Sequence, residues 1–198
     1  MPNPDLDARD RADMVRLAGG ADAALNELMA RHAGPLFGFL QRMLADEDTA
    51  RDLAQETFVR VFQHRDRFRP DASFSTWLYT IAANLARNHL RWRGHRQHAS
   101  LDVPPGVGDA PLGELLPGPD LPPGATLETA ERAAAVRAAV NDLPEELRAS
   151  LVLAEWEEKS IADIATILNL TPKAVETRLY RARQRLRETL TRWLREDG

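Results

Sequence analysis

With 198 residues, 26 Lys and Arg against 30 Asp and Glu, a formal net charge of −4 and no cysteine, the chain has room for one large core or two small ones. Disulfide frameworks, thiolate nucleophiles and cysteine-based metal sites are excluded, and any contact with nucleic acid must come from local segregation of charge. The start, MPNPDLDARDRADMVRL, carries acids throughout and lacks an apolar core segment, and no run approaches the ~18 apolar residues that span a bilayer, so a cytoplasmic protein without membrane insertion is expected.

After this polar start, Leu25, Leu28, Met29, His32, Leu36, Leu40, Met43 and Leu44 recur at helical spacing, and Gly34-Pro35 predicts a bend or break. His32 reads as a packed histidine, because no second ligand lies at helical spacing from it. Asp46 or Asp48 can cap the next helix, whose seam is Ala50, Leu53, Thr57, Phe58, Val61 and Phe62. Its other face carries Asp52, Gln55, Glu56 and Arg60, and periodicity alone says only that such a face is solvated. Arg69 to Ala72 form a turn, and Ser73 or Ser75 caps a third helix. Phe74, Trp77, Leu78, Ile81, Ala82 and Leu85 make its core stripe, while Thr80, Asn84, Arg87, Asn88 and Arg91 form a second stripe without an acid. With Trp92 and Tyr79 nearby, that surface suits a single nucleic-acid strand as well as it suits a solvated basic end.

Residues 99–126 hold more than half of the 13 prolines and no Lys or Arg; the segment reads as an extended linker, with Leu112, Leu115 and Leu116 as a short anchoring patch. Domains at 1–98 and 127–198 follow. An alanine-rich helix runs from Leu127 to Val140, and Leu143-Pro144 opens another through Leu147, Leu151 and Trp156. Ser160 and Asp163 have capping-box spacing ahead of Ile161, Ile164, Ala165 and Leu168. Asn169 offers a left-handed stop, and Thr171-Pro172 an N-cap with proline in the first turn. The last helix has the seam Val175, Leu179, Ala182, Leu186, Leu190 and Trp193, with arginines over the rest. Two helices joined this way, the second long and basic, make a helix-turn-helix, with Lys173, Thr177, Arg178 and Arg181 facing a duplex. Acids at Glu145, Glu146, Glu155, Glu157, Glu158 and Asp163 precede this helix, as expected if one face meets DNA and another meets something else.

Taken together, Asp52-Leu53-Ala54-Gln55-Glu56-Thr57-Phe58, Phe74-Ser75-Thr76-Trp77-Leu78 with Ile81-Ala82 and Asn84, Leu143-Pro144, Ile164-Ala165 and Thr177 to Arg183 resemble the extracytoplasmic-function sigma factors of bacterial RNA polymerase, over about residues 21–187. The resemblance implies an all-α fold of two small helical domains with a helix-turn-helix at the C-terminal end, and no catalysis, cofactor or metal. It implies that Asp52, Gln55 and Glu56 dock on the clamp of the large polymerase subunit. Ser73, Trp77, Asn84, Arg87, Asn88 and Arg91 would hold the melted minus-ten strand, and Lys173, Thr177, Arg178 and Arg181 the minus-thirty-five duplex. The flap of the second subunit and an anti-sigma factor are the further partners implied. The chain departs from the family pattern at Glu158-Lys159, where Gly-Leu is frequent, at Lys173-Ala174, where Gly-Thr is frequent, and at Asn88, where aspartate is frequent. A DNA-binding regulator with a sensor domain is the competing reading, but it has no use for the Trp77 to Arg91 surface. A helical adaptor that binds protein alone leaves the charge asymmetry unexplained.

Overall fold

A computed structural model describes residues 4–69, 71–99 and 127–196; Pro70 and the linker, with Leu112, Leu115 and Leu116, lie outside the described residues. In chain order the elements are α1 (Pro4–Ala18), α2 (Ala24–Leu44), α3 (Glu47–Gln63), a 3-10 turn (Arg65–Arg67), α4 (Phe74–Ala99), α5 (Leu127–Asn141), α6 (Glu145–Glu155), α7 (Ile161–Leu168) and α8 (Pro172–Glu196). No strand occurs among the described residues.

The first half is built on α2, α3 and α4. Leu28, Leu36, Phe39 and Leu40 of α2 meet Ala50, Phe58 and Val61 of α3 and Phe74, Leu78 and Ala82 of α4, all at most 4% exposed. Contrary to the expected break, α2 continues through Gly34-Pro35. Both residues lie on the exposed side, where solvent can take up the carbonyl that a proline leaves unbonded, while the apolar side keeps the helix docked.

The helix α1 was not legible in the sequence. Met14 and Leu17 are fully buried, and two of its acids, Asp10 and Asp13, are 1% and 7% exposed. Asp10 accepts from Arg31 Nε at 2.9 Å and meets His32 Nε2 at 2.7 Å, and Asp13 accepts from Arg31 Nη2 at 2.5 Å. Paired this way, the carboxylates can be buried without the penalty of an uncompensated charge. His32 is thus the packed residue expected, edge-on to Phe74 at 5.1 Å between centroids.

The chain leaves α2 at Ala45 with φ 54°, its N–H bonded to Gln41 O. A left-handed helix stop costs an L-residue about 1 kcal/mol that glycine avoids. Ala45 is exposed, so Ala45→Gly should raise unfolding stability by ~0.5 to 1 kcal/mol, read as a higher urea midpoint at unchanged slope. A loss would mean that the methyl group packs in a way its exposure does not show.

In the second half, Val175, Leu179 and Ala182 of α8 pack with Leu147, Leu151 and Leu153 of α6 and Ile164, Ile167 and Leu168 of α7. The two halves do not keep separate cores: one hydrophobic cluster runs through both, with α2 against α6 and α4 against α7. Arg148 reinforces this junction by donating to Met43 O, Asn141 O and Leu143 O, at 2.8, 2.8 and 3.1 Å. The first of these is a terminal carbonyl of α2 that lacks a partner in its own helix.

Candidate nucleic-acid interface

The helix-turn-helix forms as its local signals require. Ser160 Oγ accepts from Asp163 N and donates to Asp163 Oδ2. Asn169 stops α7 at φ 53°, and Thr171 Oγ1 caps α8 through Ala174 N at 3.2 Å. With Val175, Leu179 and Ala182 turned inward, Lys173, Thr177 and Arg181 are exposed on the outer side. Arg178 is not among them. Its guanidinium turns back to Glu146 of α6 at 3.2 Å, and its side chain is 24% exposed. Arg183 is likewise held by Glu155 at 2.7 Å. Tyr180, passed over in the sequence, is 69% exposed on the same side as Lys173 and Thr177; helical spacing from Lys173 was the signal that could have found it.

On α4 a second surface lies beside the core stripe. Asn84, Asn88 and Arg91 are exposed, and Arg87 is half-buried with Nη1 donating to Asn84 Oδ1 at 3.3 Å. Trp77 closes one end of this face, wedged against Phe68 and Phe74 at centroid distances of 5.4 and 6.3 Å. These aromatic contacts tie the turn before α4 to the helix itself. Ser73 caps α4 through Thr76 N at 3.4 Å and donates to Asp7 Oδ1 of α1 at 3.1 Å. Tyr79 does not belong to this surface. It is 3% exposed, edge-on to Phe39 at 5.2 Å, with its hydroxyl on Glu157.

A third face runs along α3. Asp46 caps the helix through Thr49 N at 2.8 Å, and this hydrogen bond holds its carboxyl below the usual range. Asp52 and Gln55 are exposed, while Glu56 is half-buried and paired with Arg60 at 2.7 Å. Val59, one turn after Gln55, is 46% exposed. The sequence seam gave no reason to single it out, and a lone exposed apolar side chain is ordinary on a protein surface. Among the described residues no group of three or more His, Asp or Glu is placed to hold a metal ion.

Two family models match the chain: sigma-70 region 2 over residues 28–96 and sigma-70 region 4 over residues 133–186. The RNA polymerase sigma-H factor of Pseudomonas aeruginosa is 34% identical over 192 residues, covering 95% of this chain and 97% of that protein. The ECF RNA polymerase sigma-E factor of Haemophilus influenzae is 31% identical, with 88% and 92% covered. The chain belongs to the extracytoplasmic-function sigma factors. The sigma factor binds core RNA polymerase and directs promoter recognition. In fold it is similar to the chain in the structure of CnrH in complex with the cytosolic domain of CnrY, with a TM-score of 0.67, 28% identity and 92% and 97% of the two chains covered. It also shares its fold with a sigma factor RpoE solved with the anti-sigma factor NepR from Bartonella quintana, at a TM-score of 0.66 and 23% identity over 84% and 96%. No helix among the described residues of the sigma factor is long and apolar enough to cross a membrane.

Proposed function

We propose that the three exposed faces divide the work of the sigma factor, with residues 1–98 holding polymerase and the melted minus-ten strand, 99–126 linking, and 127–198 reading the minus-thirty-five duplex. Asp52, Gln55 and Glu56 meet the polymerase clamp, with Val59 as the apolar centre of that contact. Asn84, Arg87, Asn88 and Arg91, with Ser73 and Trp77 at the turn, receive single-stranded DNA. Lys173, Thr177 and Arg181 enter the major groove, and Arg178 joins them once released from Glu146. The observation that carries this reading is the acid-free stripe of amides and arginines on α4, together with Lys173, Thr177 and Arg181 exposed on α8 of the same chain, where Glu176 is the neighbouring acid. A cation-and-amide face suits an unpaired strand, and a basic helix opening after a capped turn suits a groove.

The sigma factor supplies recognition and leaves nucleotide chemistry to the polymerase. The structure of RpoE with the anti-sigma factor NepR, beside that of CnrH with the cytosolic domain of CnrY, supports an anti-sigma factor as a further partner, and the flap of the second polymerase subunit is the expected dock for the C-terminal unit.

The pairing of Arg178 gives a test on duplex minus-thirty-five DNA. Arg181→Ala should weaken binding by ~1 to 3 kcal/mol if it reads a base, or flatten the salt slope by ~1 if it holds a phosphate. Arg178→Ala should cost less, because the wild-type side chain has to give up Glu146 to reach DNA. Equal losses, or none in either variant, would count against the placement of α8 in the groove.

A further inference from the structure

We propose that Asp7 is a positioning residue for strand capture, which through Ser73 fixes the turn before α4 in the form that accepts an unpaired base. This inference deepens the strand-capture reading of α4 and rests on it.

The helix that carries Asp7 precedes residues 28–96, the stretch matched by sigma-70 region 2. Asp7, Asp10, Met14 and Leu17 recur at helical spacing along α1 and so share one face. Leu17 and Met14 are fully buried in the core, and Asp10 is 1% exposed, so this face turns from apolar to acidic toward the start of α1. Each of the two acids reaches the start of α4. Asp10 does so through His32, whose ring lies against that of Phe74. Asp7, which is half-buried, does so directly across 66 positions of sequence, with Oδ1 accepting from Ser73 Oγ at 3.1 Å.

A serine hydroxyl has one proton to donate and lone pairs with which to accept. With its proton committed to Asp7, Ser73 Oγ turns a lone pair to the N–H of Thr76 at 3.4 Å, while Ser73 O accepts from Trp77 N at 3.1 Å. These two bonds begin α4. Trp77 in turn meets Phe68, from the far side of the turn, at 5.4 Å between ring centroids. Both ends of the turn are therefore tied down, one by α1 and the other by the aromatic contact.

Such tethers matter more for the turn than for the polar stripe of Asn84, Asn88 and Arg91. The stripe lies on a helix, whose own hydrogen bonds keep it in shape, whereas a turn holds one form only where outside contacts impose it. A turn that is ordered before the strand arrives spares the binding step a loss of conformational entropy. Asp7 suits this task, because a carboxylate binds a hydroxyl more strongly than a neutral acceptor does. Ser73 thus serves the strand through the turn it holds, its own proton being engaged with α1.

Amide hydrogen exchange in the full chain reads the turn directly. Asp7→Ala should speed exchange at Thr76 and Trp77 ~fivefold, the effect of losing one net hydrogen bond. Asp7→Asn, whose carboxamide oxygen still accepts from Ser73, should recover most of the protection. In the holoenzyme the same order should hold for open-complex formation, with Asp7→Ala ~fivefold slower on a duplex promoter and Asp7→Asn close to wild type. Core binding should be unchanged in both variants. A merely structural tie would slow opening by one factor on every promoter, whereas a misplaced turn should also narrow the preference among promoters that differ at one minus-ten base pair. Unchanged exchange in Asp7→Ala, an unchanged base preference, or an Asp7→Asn variant as slow as Asp7→Ala would overturn the assignment. Normal opening by Asn84→Ala would strike the strand-capture reading itself, whereas normal opening by Asp7→Ala beside a slow Asn84→Ala would strike only the role of Asp7.

Discussion

Holoenzyme carrying Asn84→Ala should bind duplex promoter DNA nearly as well as wild type but form the open complex roughly tenfold more slowly, the effect of losing ~1.4 kcal/mol of hydrogen bonding to an exposed base. Asn84 is exposed and touches Arg87 at 3.3 Å, so its removal should leave the fold within ~0.5 kcal/mol of wild type. Its carboxamide can exchange that exposed contact for the edge of an unstacked base, and a base that is already unpaired costs little to bind. Permanganate reactivity of promoter thymines reads the opening step. A pre-melted template should recover much of the activity, because duplex opening is then already done. Opening at the wild-type rate with the same downstream preference would return this face of α4 to an ordinary solvated surface.

Asp10→Ala should cost ~3 kcal/mol of unfolding stability, a large share of what a domain of this size possesses. The carboxylate is 1% exposed and serves Arg31 Nε and His32 Nε2 together. Without it, both nitrogens remain in a protein environment with one acceptor fewer, and the desolvation they have already undergone is no longer offset. The loss would be felt where α1 meets α2, and through His32 at Phe74, the first residue of the strand-capture helix. Asp48→Ala is the matched comparison. That carboxylate is 95% exposed and 3.4 Å from Arg51, and its removal should change stability by less than ~0.5 kcal/mol. Urea unfolding of the two variants checks both values, and equal losses would show that the pairing of Asp10 contributes little.

The helix-turn-helix was legible in the sequence down to single atoms. Ser160 with Asp163, Asn169, and Thr171 with Pro172 act on backbone groups within four residues of themselves, so their spacing alone specifies where α7 and α8 begin and end. The polar stripe of Asn84, Asn88 and Arg91 was legible for a similar reason, since helical periodicity sorts one face from another before any partner is known. Periodicity could not show which partners other helices bring. Arg178 reads as outward until Glu146, from another helix, draws it back, and Tyr79 reads as part of an aromatic surface until Phe39 of α2 and the segment from Glu157 to Lys159 meet it.

Local pattern thus determined where the helices lie, how they are capped and which stripes are apolar, because those choices are made by bonds and rotamers within a turn or two. Only the tertiary structure decided what becomes of charges that a helix cannot satisfy by itself. Asp10 reads as a solvated acid until Arg31 arrives from 21 residues away, and Glu157 reads the same until Tyr79 arrives from 78 residues away. The free energy of a charge depends on its dielectric surroundings and on the partner it finds there, and neither is encoded within reach of its own turn of helix.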